Sequence, residues 1–133
     1  MIVDANNAVL GRLASRVARE LLRGQEVVVV NVEKAIISGK ESDISERFLA
    51  KIHRGDPHKG PFYPKYPDRI FRRMIRSMLP YKSQRGRIAL KLLKIHIGNP
   101  ENLQGEKISK TAHDLKSKHI SLHELSKRLG AHG

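Results

Sequence analysis

Few residues of this chain are of the kind that bind ligands or move protons: seven histidines, one Gly-Lys pair, scattered serines, and a dense run of arginine and lysine between residues 54 and 94. His119 and His123 stand four apart, as helical metal-binding pairs do, but "HISLH" lacks the glutamate that follows the first histidine of such a motif. Ser121 between them reads as a helix cap, which leaves only His123 on the helix proper. His53, His96, His113 and His132 are scattered, hydrogen-bonded or solvated roles are expected for them, and no metal is expected. His58, inside the basic run, is a candidate contact for a phosphate or a base.

Nucleotide chemistry is equally poorly served. In "SGKES", Glu41 stands where a phosphate-cradling loop needs Ser or Thr to hold magnesium, and Lys34 stands where its leading glycine belongs. "NNAVLGR" offers a single glycine and not the G-x-G-x-x-G of a dinucleotide site, so Gly11 is expected to serve close helix packing instead. The chain has no cysteine and no G-x-S-x-G elbow, and Asp56 and Asp68 sit beside prolines as turn or cap residues. No catalytic residue, cofactor or small-molecule substrate is expected.

The basic run has more content. Residues 54 to 94 hold twelve Lys or Arg against two acids, a net +10 within a chain whose total is +13. Pro57, Pro61, Pro64, Pro67 and Pro80 interrupt it, so most of these charges cannot spread along one long helix. Charge concentrated in this way calls for an acidic partner, nucleic acid first. Arginine is the main cation of "DRIFRRMIRSML", and its planar fork binds a phosphate through two hydrogen bonds or stacks on a base. Phe62, Tyr63, Tyr66 and Tyr81 lie among the cations, which suits unpaired bases and favours folded RNA over duplex DNA. Taken singly, each ring can equally pin the proline-rich segment to the domain. Arg12, Arg16, Arg19 and Arg23 mark a second basic line, read as solvated surface because Glu20 and Glu26 are close by. Two rival functions stay open at this point: an α/β enzyme acting on RNA, and a free-standing DNA-binding protein.

The elements that must position these residues follow from periodicity. Ile2 to Ala5 is a strand candidate; Leu10, Leu13, Ala14, Val17, Ala18, Leu21 and Leu22 then make a helical stripe that Gly24 ends; "EVVVVNV" is a β-branched run suited to a strand buried on both faces. Strand, helix, strand in about 30 residues is a βαβ unit, which sets the fold class as α/β. Ala35 to Ser38 reads as a third strand and "ESDISERFLAKIHR" as a second helix. "GDPHKGPFYPKYP" is a stiff, extended loop, expected to be mobile without its partner. Asp68 is the expected N-cap of a helix that Pro80 stops, with Ile70, Phe71, Met74, Ile75, Met78 and Leu79 inward and Arg69, Arg72, Arg73 and Arg76 outward. A loop from Tyr81 to Gly86, a short helix "RIALKLL", a fourth strand "KIHIG" and a last helix capped by Ser121 and Glu124 and stopped at Gly130 complete the reading. One domain over residues 1 to 133 is expected, with its basic RNA-binding region at about 54 to 94. The first residues lack a basic segment followed by a long apolar run, and no stretch approaches the ~18 apolar residues of a membrane span. A soluble, untargeted, cytoplasmic protein is the expectation.

Three blocks carry more than composition does. "VDANNAVLGRLASRVARELLRG", "VVVVNVEKAIISG" and "MIRSMLPYKSQRGRIALKLLKIHIGNP" together resemble the large-subunit ribosomal protein L-thirteen family, in order and along essentially the whole chain. The third is the most diagnostic, through Arg76, Met78-Leu79-Pro80, Gly86 and the run from Leu93 to Gly98. The start at the first strand, without the leading extension of the bacterial branch, together with "NVEKAIISGK", is similar to the archaeal form. The resemblance implies a three-layer α/β/α domain around a four-stranded, mostly parallel sheet with a basic helix-loop extension. It also implies a constituent of the large ribosomal subunit that binds large-subunit ribosomal RNA, joins assembly early, and has other ribosomal proteins as neighbours, without cofactor or catalysis. Carried over to matching positions, the motif residues expected on RNA are Arg76, Tyr81, Lys82, Gln84, Arg85 and Arg87. Charge and position alone add His58, Lys59, Lys65, Arg69, Arg72 and Arg73.

Overall fold

Four consecutive valines, stiff at χ1 and three of them buried, form the centre of the molecule: in a computed structural model describing residues 1–54, 64–107 and 118–130, they make strand β2 (Val27–Val30). β1 (Ile2–Asp4) and β4 (Leu93–Ile95) flank it, both parallel, with Val3 opposite Val29 and Val29 opposite Ile95. The crossover from β1 to β2 is α1 (Leu10–Leu22), whose stripe of Leu10, Leu13, Ala14, Val17, Ala18 and Leu21 is buried, and Gly24 ends it at φ +86°. The βαβ expectation holds. Gly11, by contrast, is exposed and a side chain there would meet nothing within 4 Å, so it does not serve helix packing.

The third strand departs from expectation. After β2, Asn31 takes a left-handed conformation at φ 58°, its side-chain amide donates to Asp4 Oδ1 at 3.2 Å, and a 3-10 turn (Val32–Lys34) swings the chain away from the sheet. β3 (Ile36–Ser38) therefore lies beside Ala8, whose carbonyl accepts from the Ile36 N–H at 2.8 Å, and pairs antiparallel with β5 (His119–Ser121). Among the described residues the sheet structure is thus three parallel strands plus a separate antiparallel pair. β1 has one more neighbour on its outer edge: its Asp4 N–H donates to the Glu106 carbonyl and the Glu106 N–H donates to the Ile2 carbonyl, each at 3.0 Å.

α2 (Glu41–His53) buries Ile44 and Phe48, and α5 (Leu122–Arg128) buries Leu122 and Leu125, with Leu129 buried just beyond its end. Ser121 caps α5 as expected, its hydroxyl accepting from the Glu124 N–H at 3.2 Å. An ion pair, Arg128 to Glu41 at 2.8 Å, ties α5 to α2. α3 (Pro67–Met78) and α4 (Gln84–Lys91) both pack on α1, and the fully buried Ile70, Phe71 and Ile75 of α3 join Leu13, Val17 and Leu21 in a single core.

Candidate nucleic-acid interface

α3 holds its charges out because its other side is committed inward. Ile70, Phe71 and Ile75 are sealed in the core, and Arg69, Arg72, Arg73 and Arg76 follow at i, i+3, i+4 and i+7, the spacing of one helical face. Pro67 opens the helix at its first position, where the missing N–H is no loss, with Tyr66 at the N-cap position. Asp68 is consequently not the cap; it lies in the first turn, where its charge still complements the unpaired N–H groups. The four arginines together with Pro64 and Leu90 line a cleft of about 420 Å³. Arg72 reaches across it, donating to the carbonyls of Leu93 at 3.3 Å and Leu90 at 3.4 Å, long bonds that brace α3 against the end of α4.

The segment after α3 is folded back on itself. Tyr81 N–H donates to the Leu79 carbonyl at 2.8 Å, and the Ser83 N–H and hydroxyl both donate to the Pro80 carbonyl, at 2.9 and 2.8 Å. The same hydroxyl accepts from the Gly86 N–H at 3.3 Å and so caps α4. Gly86 is buried against this turn: a Cβ would lie 2.0 Å from the Pro80 oxygen. The expected loop from Tyr81 to Gly86 is therefore shorter than read, because Ser83 starts a helix that already contains Gln84, Arg85, Gly86 and Arg87. Lys82, Gln84, Arg85 and Arg87 are exposed around an N-terminal turn that holds no acid.

Two tyrosines join the arginine face to these ends. The Arg76 guanidinium sits 4.6 Å from the Tyr81 ring centroid, and that of Arg69 sits 5.8 Å from the Tyr66 ring. Sequence spacing of three and five residues gave no reason to pair them in advance. Lys65 is not part of the cleft: its carbonyl accepts from the Ser126 hydroxyl at 2.6 Å, and its ammonium lies by Gly130 at the end of α5. His58 and Lys59 lie outside the described residues, as does most of the proline-rich segment. Of the second basic line, Arg16 and Arg23 face Glu20 of their own helix at 3.9 and 3.0 Å.

A larger cleft, about 580 Å³, opens beyond the carboxyl ends of β1 and β2, where α/β folds commonly bind small ligands. Its lining mixes Glu33 and Glu124 with Lys34, His119 and His123, and the Glu33 carboxylate is taken up by the Gly98 N–H at 2.8 Å. Among the described residues no three His, Cys, Asp or Glu side chains are grouped so as to hold a metal ion, and no helix is long and apolar enough to cross a membrane.

Comparison with known proteins gives a consistent result. The family model for ribosomal protein L13 matches residues 1–102. The large ribosomal subunit protein uL13 of Methanopyrus kandleri is 49% identical, covering 97% of this chain and 86% of its own length. Those of Archaeoglobus fulgidus and Methanocaldococcus jannaschii are 44% and 47% identical, covering 99% and 98% of this chain and 88% and 97% of their own.

Proposed function

Because the chain belongs to the ribosomal protein L13 family, we propose that it is a structural, non-enzymatic constituent of the large ribosomal subunit, of the archaeal type, working in translation in the cytoplasm. The observation that carries the RNA contact is the continuity of the basic surface. The arginine face of α3 leads through the Arg76–Tyr81 contact to the cationic first turn of α4, and the far side of α3 is sealed in the core. Such a surface repels itself until phosphates neutralise it. Large-subunit ribosomal RNA is the partner proposed for Arg69, Arg72, Arg73, Arg76, Tyr81, Lys82, Gln84, Arg85 and Arg87. His58, Lys59 and Lys65 belong to the same proposal through their place in the basic run. Early entry into subunit assembly, and contact with neighbouring ribosomal proteins, belong to it through the family.

The whole chain is proposed to act as one domain, since a single core draws residues from Val3 to Leu129. The three-layer arrangement around a four-stranded sheet is part of the same reading; the Glu106 pairing, which adds a parallel neighbour to β1, supports it. Sedimentation of a cell extract through a sucrose gradient at moderate salt tests the function: the chain is expected to travel with the large subunit. A chain found only in the light fractions would overturn it.

A further inference from the structure

The ends of α3 carry a feature that phosphate binding does not require. Tyr66 and Tyr81 stand just outside the two ends of the helix, each is more than a third exposed (41% and 37%), and each has an arginine guanidinium over its ring. Both of those arginines also line the cleft, which links the two rings into one track beside a helix of 12 residues, roughly 18 Å long at 1.5 Å per residue. Pro64 and Leu90 give that track apolar walls, which suit sugar and base surface, while Arg72 and Arg73 lie at its middle.

We propose that the track takes an unpaired segment of RNA, with one base stacked at the Tyr66–Arg69 end, another at the Tyr81–Arg76 end, and the intervening backbone laid along the arginines. The proposal rests on the ribosomal RNA reading and adds the kind of RNA structure recognised. A duplex presents phosphates to such a surface but keeps its base faces inside the stack, and A-form helices have a major groove too deep and narrow for side chains to read. Only unpaired nucleotides can use both ring platforms and the cleft. An arginine already held beside a ring also loses less freedom when a base settles on it.

The test uses the full chain and three probes at one ionic strength: a short unpaired oligoribonucleotide carrying 2-aminopurine, the same strand in a duplex, and large-subunit ribosomal RNA. Wild type is expected to prefer the unpaired probe and to quench its fluorescence by stacking. Tyr66→Ala with Tyr81→Ala is expected to weaken unpaired binding by about thirtyfold or more and abolish quenching, while duplex affinity and salt dependence stay unchanged. Tyr66→Phe with Tyr81→Phe, which keeps both rings and the fold, is expected to behave as wild type. Equal affinity for duplex, or quenching that survives in the alanine variant, overturns the platforms while leaving ribosomal RNA binding intact. Failure of the wild type to bind ribosomal RNA at all overturns both.

Discussion

Gly86 and Gly11 have the same side chain and opposite constraints. At Gly86 the Pro80 carbonyl occupies the place of a Cβ, at 2.0 Å, and it cannot withdraw without losing the hydrogen bonds it accepts from Ser83. Gly86→Ala is expected to destabilise the protein by about 2–3 kcal/mol, read as a lowered urea midpoint. At Gly11 the space is open, and Gly11→Ala should stabilise the helix by about 0.5–1 kcal/mol in the same measurement. Gly11 is expected to serve packing that is not found, because a glycine does not reveal what faces it; that depends on residues brought in from elsewhere. Asp68 departs from expectation too: it is the expected cap, and Pro67 at the opening position of the helix puts Tyr66 there instead.

At the scale of elements, α1 and α3 were legible because their stripes of buried side chains repeat at 3.6 residues, although Met78, expected inward, is 42% exposed at the end of α3; the deletion of one buried side chain should be felt throughout. Ile75 is fully buried under the arginine face, so Ile75→Ala is expected to cost about 2–5 kcal/mol by thermal or urea unfolding. α4 depends on its cap: Ser83→Ala removes the hydroxyl that satisfies the Gly86 N–H and is expected to cost about 1 kcal/mol, with faster amide exchange at Gly86 and Arg87. What could not be read was pairing. Ile36 to Ser38 looks like any short apolar strand, and nothing in its own residues says that a left-handed Asn31 diverts it to β5, some 80 residues onward. β5 itself was hidden because His119 and Ile120 read as the approach to a cap.

For the whole molecule, charge distribution was the most legible property, since it needs no folding to count. It identified the acidic partner's class, whereas the ribosome came only from the resemblance in three blocks. Reversing two exposed charges, Arg85→Glu with Arg87→Glu, should weaken binding to large-subunit RNA and flatten the log-log salt dependence by about one unit per lost phosphate contact in a filter-binding titration. An unchanged slope would mean that the first turn of α4 lies away from the RNA.

β5 and α5 are made after every other described element, yet they complete earlier ones. Ser126 fastens the chain just ahead of α3, Arg128 holds α2, and β5 covers the edge of β3 that Ala8 leaves open. A polypeptide still being translated therefore carries an exposed strand edge until its closing segment emerges. At roughly 5–20 residues per second that interval lasts several seconds, long enough for a nascent copy to meet a chaperone or another unfinished copy before it meets RNA.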